Sequence, residues 1–136
     1  MRDGTLWRLR YPLNIAPNWK NNLRVVPVST RNPLNIGAPA RAMANCGVAR
    51  LCVVNPYDVA FREACSAVGA APLLRKAEEF PSVADAVAGC RLVIGTTSVG
   101  HRELQHPIRR LEYGARLMLR VLPETPVALL FGSEKF

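Results

Sequence analysis

Thr30-Arg31-Asn32-Pro33-Leu34-Asn35-Ile36-Gly37-Ala38-Pro39-Ala40-Arg41 follows an apolar run, Leu23 to Val28, and leads into Ala42-Met43-Ala44-Asn45-Cys46-Gly47. The apolar run reads as a strand, the middle as a polar loop, and Ile36 to Cys46 as a helix that Gly47 closes. That order sets backbone N–H groups and Arg41 near the carboxyl edge of a sheet, where open α/β folds bind ligands. Two asparagines, a glycine and two arginines, Arg31 and Arg41, suit the loop to a phosphate or another polar ligand.

Two prolines constrain this reading. Pro27 cannot donate to a sheet ladder, so the first strand (Leu23 to Ser29) is expected at an edge, or with a bulge, or else to tolerate the damage. Pro39 is acceptable in the helix only within its first turn. Downstream, Arg50 to Asn55 reads as a strand stopped by Pro56, and Asp58 to Val68 as a helix ended by Gly69. A short strand is expected around Pro72 to Leu74. Ser82 caps a helix through Ala88, with Asp85 three residues on as its partner. Arg91 to Gly95 reads as a buried strand and Pro126 to Phe131 as the last one. Between them Ile108 to Leu122 is an amphipathic helix, with Ile108, Leu111, Ala115, Met118 and Leu122 on one face. Its other face carries Arg109, Arg110, Arg116 and Arg120, a pattern more often solvated than functional. Strands alternating with helices imply an α/β domain: a mostly parallel sheet with helices on both faces. Residues 1–22, with Trp7 and Trp19, read as an irregular arm before a domain spanning 23–136.

The net charge of +8 is unevenly placed. Residues 1–50 hold eight cations against Asp3 alone, which is +7 of it, and such a bias suits a polyanion such as RNA. The apolar runs are too short to span a bilayer, and the first twenty residues lack a signal-peptide core, so a cytoplasmic location is expected. The four cysteines (Cys46, Cys52, Cys65, Cys90) form no Cys-x-x-Cys pair and read as core thiols rather than metal ligands. His101 and His106 have no serine or cysteine partner in a nucleophile context.

Four segments together carry a family resemblance. Asn35-x-Gly37-Ala38-x-x-Arg41 after a strand resembles the first motif of the SpoU (TrmH-type) RNA 2′-O-ribose methyltransferases of the SPOUT class. Leu129-Leu130-Phe131-Gly132-Ser133-Glu134-Lys135-Phe136 resembles the start of that family's second motif. Leu51 to Pro56 and Leu92 to Ser98 sit where the family has its second strand and its Gly-Thr-Thr/Ser loop. The resemblance covers about Leu23 to Phe136. It implies an α/β-knot fold, here without the C-terminal knot region, and a homodimer in the full-length form. It also implies S-adenosylmethionine-dependent methylation of an RNA ribose, in tRNA or rRNA. Arg41 would be the catalytic arginine, with Asn35 positioning the loop or the ribose and Glu134 ordering the loops, with a pairing to Arg41 that the resemblance allows. Thr96, Thr97, Ser98 and Gly132 would line the cofactor pocket, and Arg31 and Arg41 would meet RNA. Read from the residues alone, Asn35 equally fits an Asx turn, and the Gly95-Thr96-Thr97-Ser98 hydroxyls equally fit a strand-end turn. A non-catalytic RNA-binding fragment is the alternative function.

Overall fold

The computed structural model describes residues 19–57, 59, 69–97 and 108–132. Five strands, β1 (Leu23–Pro27), β2 (Arg50–Val54), β3 (Glu78–Phe80), β4 (Leu92–Thr96) and β5 (Val127–Phe131), form one sheet in the order β3-β2-β1-β5-β4. Every pairing is parallel. The helices are α1 (Trp19–Asn22), α2 (Leu34–Cys46), α3 (Ala71–Arg75), α4 (Val83–Ala86) and α5 (Leu111–Val121).

Alternation along the central strands divides the core. Val25, Leu51 and Val53 pack with Ile36, Ala40 and Met43 of α2 and Leu74 of α3 on one face. Val26, Cys52, Val54 and Ala128 pack with Ala86 of α4 on the other. Successive strand residues point to opposite sides, so burial of neighbours on both sides requires two layers of cover. α5 lies on the α2 side, because Gly114 approaches Ile94, which stands in register with Leu129 and so with Val25. Trp19 of α1 packs against the α2-side core, and Asn22 Nδ2 donates to the Leu122 carbonyl.

At Pro27 the structure takes the last of the three expected outcomes. β1 is neither an edge strand nor bulged: it is the central strand, and Pro27 is buried. The pairing of β1 with β2 keeps one register from Arg24↔Arg50 to the Val28↔Val54 bridge, which leaves no extra residue for a bulge. Val28 N–H donates to Phe131 of β5 and Ser29 N–H to Val54 of β2. By alternation, the Pro27 nitrogen faces β2, and one rung of that ladder is missing while the β5 ladder stays whole.

Other boundaries move for local reasons. α2 begins at Leu34, two residues early, so Pro39 falls in the helix interior rather than its first turn. Pro72 does not open a strand; it sits at the start of α3, where a missing N–H breaks no helical bond. The third strand is instead Glu78–Phe80, short and polar at the sheet edge. β4 is an edge strand rather than a buried one, with Val93 42% exposed. Ile108 and Leu111 are exposed because Arg110 is extended and α5 starts only at Leu111; Ala115, Met118 and Leu122 turn inward. Gly47 closes α2 at φ 75°, with its own N–H on Ala44 and that of Val48 on Met43. Ser82 Oγ accepts from Asp85 N–H at 3.1 Å, so α4 has its expected cap. Cys52 is buried and Cys90 half-buried, but Cys46 is exposed at the end of α2. Of the helix expected over Asp58 to Val68, Val59 is helical and exposed, and the rest, Cys65 included, lies outside the described residues.

Candidate functional site

From β1 through β2 to β3, and again from β4 to β5, the chain steps the same way across the sheet, so β1 and β5 adjoin at its centre with α2 and α5 on one face. Pro27, Phe131 and Thr96 are in register across β1, β5 and β4. One residue beyond that row lie Val28, Gly132 and Thr97. The fold therefore brings the Thr30–Arg31 loop, the Thr96–Thr97 segment and Gly132 to one edge, with α2 rising beside them. Ser98 and Glu134 lie outside the described residues, and so does any Arg41–Glu134 pairing.

Ser29 (φ 50°) and Asn55 (φ 45°) take left-handed backbone at the ends of β1 and β2. Non-glycine residues hold this conformation at a cost unless their surroundings impose it. Here the surroundings do: Ser29 N–H donates to Val54 O at 2.8 Å, and Asn55 N–H to Phe80 O at 3.2 Å. Tyr57 N–H then donates to Thr30 O at 3.2 Å, joining the two loops, while Thr30 is buried and the Tyr57 side chain is exposed. Sequence reasoning missed these three residues. Asn55 before Pro56 carried a turn signal; Ser29 and Tyr57 carried none.

The start of α2 corrects the expected chemistry. Its first N–H groups are already used: Leu34 donates to Asn32 Oδ1 at 2.9 Å, Asn35 to Asn32 O, and Ile36 and Gly37 to Pro33 O. Asn32 makes an Asx-type turn here, its Oδ1 accepting from Leu34 N–H. A backbone cradle for an anion is thus closed, and negative charge at this edge falls to side chains. Asn35 and Arg41 are both exposed on α2. With Ala38 they follow one i, i+3 ridge, and six residues set them about 9 Å apart along the axis. Arg41 is therefore nearly two turns into the helix, although its Cα–Cβ bond leans back toward the helix start. Arg31 is exposed in the preceding loop.

Thr96 Oγ1 donates to Leu130 O at 2.9 Å, so this hydroxyl fastens β4 to β5 and keeps only its acceptor capacity for a ligand. Thr97 and Gly132 are exposed, and a Cβ added at Gly95 would meet nothing within 4 Å. Open space, one exposed hydroxyl and a side-chain-free backbone fit a small polar group at the ends of β4 and β5. Among the described residues, no cluster of His, Cys, Asp and Glu is placed to hold a metal, and no helix is long and apolar enough to cross a membrane.

A five-stranded parallel sheet covered by helices on both faces, with threonines and a glycine in register at its carboxyl edge, defines an α/β domain of the doubly wound class. Comparison narrows this: residues 22–136 match the model of the SpoU rRNA methylase family, and the chain belongs to that family. It is 35% identical over 116 residues to a tRNA (cytidine/uridine-2′-O-)-methyltransferase TrmJ of Sodalis glossinidius, covering 85% of this chain and 45% of the relative. The TrmJ of Citrobacter koseri is 38% identical over 116 residues, covering 84% and 47%. Among solved structures, TrmJ from Z. mobilis superposes with a TM-score of 0.69 at 36% identity, over 82% of this chain and 50% of that one. A putative methylase family protein from Neisseria gonorrhoeae gives 0.73 at 27% identity, over 89% and 66%. The chain spans a little under half the length of the curated relatives it matches.

Proposed function

We propose that this chain carries the substrate-facing part of an S-adenosylmethionine-dependent RNA 2′-O-ribose methyltransferase acting on tRNA. The observation that supports the reading is the register that sets Thr97 and Gly132 at the sheet edge from which the Thr30–Arg31 loop leads into the Arg41-bearing helix α2, in a chain matching the SpoU family over residues 22–136. When bound, S-adenosylmethionine supplies an electrophilic methyl group on a sulfonium sulfur. The ribose 2′-oxygen would take that methyl, with the S–CH3 electron pair staying on sulfur and the hydroxyl proton passing to solvent. Thr97, Gly132 and the space at Gly95 would hold the donor, while Arg41 and Arg31 would hold the RNA.

Arg41 is better suited to fixing a phosphate and stabilising the developing alkoxide than to accepting the proton, because a guanidinium stays protonated in proteins. With the first-turn N–H groups of α2 engaged, these side chains have no backbone substitute. Asn35, on the same ridge as Arg41, positions the ribose.

The test measures transfer of labelled methyl from S-adenosylmethionine to a tRNA transcript, with the product nucleoside identified, alongside calorimetric titration of the donor. Ribose-methylated product, lost at least about 100-fold in Arg41→Ala, is the expected result. Salt-sensitive tRNA binding without donor binding would replace this reading with a non-catalytic RNA-binding domain.

A further inference from the structure

The arginines of α5 have no part in the site above, and their arrangement is specific. Tyr113, Arg116 and Arg120 stand at i, i+3 and i+7, one stripe of the helix, and all three are exposed. Arg109, just before the helix, places its guanidinium 5.9 Å from the Tyr113 ring centre and so continues the stripe. At the other end, Arg120 shares a shallow cleft with Arg91, Val121, Glu124 and Thr125. Because α5 crosses from the end of β4 to the start of β5, the stripe runs from the carboxyl edge of the sheet to its amino edge.

A merely solvated helix face interleaves acids and bases that pair at i, i+4. Glu112 stands four residues before Arg116, yet the only ion pair among the described residues is Arg50–Glu78, at 3.1 Å. Among the described residues, the stripe and its neighbour Arg110 thus set five arginines (Arg91, Arg109, Arg110, Arg116 and Arg120) against two nearby carboxylates, Glu112 and Glu124, with no ion pair between them. Every cation is arginine, whose planar fork suits phosphate oxygens. Half of Tyr113 is exposed in the middle of them, an aromatic face of the kind on which unpaired bases stack.

Resting on the RNA reading above and extending it, we propose that Arg109, Tyr113, Arg116, Arg120 and Arg91 form a second RNA-binding strip, which tracks the substrate backbone away from the methylation edge. The arginines take phosphates and Tyr113 stacks on an unpaired base.

Fluorescence anisotropy of a labelled tRNA transcript, titrated with the chain at several potassium chloride concentrations, tests this. Arg116→Glu/Arg120→Glu should weaken binding at least about tenfold and flatten the log–log salt dependence by roughly 0.7–0.9 per lost phosphate contact. Tyr113→Ala should weaken it about 5- to 100-fold, with Tyr113→Phe near wild type. Arg116→Gln/Arg120→Gln, checked for an unchanged melting curve, gives the same answer without introduced repulsion. Unchanged affinity and slope in these variants, while Arg31→Glu weakens binding, would overturn the strip and leave the proposed function standing. Absence of salt-sensitive tRNA binding by the wild-type chain would remove both.

Discussion

Arg24 is a guanidinium buried in the central strand, 8% exposed. Its Nη1 donates to the Ala86 carbonyl at 3.1 Å and the Ala88 carbonyl at 2.7 Å, tying the end of α4 to β1, while Nε has no partner. Replacing it with methionine keeps an apolar side chain in place and removes both bonds. Hydrogen bonds to a charged group contribute about 1.5–3 kcal/mol each, and an unmatched buried donor costs about 1–3 kcal/mol. Ala88 is exposed and water can replace its bond; Ala86 is buried and stays unsatisfied. The losses outweigh the relief, so Arg24→Met should destabilise by about 1–3 kcal/mol, and Arg24→Ala by more because it also leaves a cavity. Urea denaturation followed by circular dichroism reads this directly, with a fall in Tm of roughly 4–12 °C. Hydrogen exchange should quicken over residues 83–90 before it does elsewhere. An Arg24→Met midpoint equal to or above wild type would mean that charge burial dominates and refute the reasoning.

Gly114→Ala should stabilise by about 0.5–1 kcal/mol: the added methyl meets Ile94 Cδ1 at an ordinary 3.5 Å, and an interior helical glycine is unfavourable; a lowered Tm would contradict the Ile94 packing. Asn32→Ala, which frees the Leu34 N–H, should cost about 0.5–2 kcal/mol in the same denaturation assay. Burial pushes the Cys52 and Cys90 thiols above 9.0; the Glu78 carboxylate adds to the rise at Cys52, and Arg24 and Arg50 oppose it at both. The unfolded chain loses these protons first, so this contribution to stability is intact below about pH 9 and lost as pH rises through the folded values. Cys52→Ala/Cys90→Ala should flatten the fall in a pH series of urea midpoints.

The fold was legible where physical signals were strong. The apolar runs at Leu23, Arg50 and Pro126 marked strands, and Gly47 and Ser82 marked helix ends, because burial and backbone geometry restrict those positions to few residue types. β3 was missed: at Glu78-Glu79-Phe80 an exposed three-residue edge strand leaves no apolar pattern to read. Pro27 left its three outcomes open because its cost was judged alone; only the whole sheet shows that one missing rung toward β2 is carried by an intact β5 ladder. At the site, the order of the loops along the chain was readable, since each follows a strand. The closure of the α2 N-terminus by Asn32 and Pro33 was not, because it depends on turn geometry that the residue types leave open. The inward and outward sides of α5 were mostly readable from its period, though its true start was not.

That closure has a consequence for selectivity. A backbone nest would bind a lone phosphate well, since its donors are already fixed. Arginines on long, flexible stems must be ordered one by one, and each ordering costs conformational entropy. A single phosphate gains little against that cost. A polymer offering many linked phosphates engages the second arginine at high effective concentration once the first is held. Under the proposed function, an edge built this way would favour linked phosphates over a single free one.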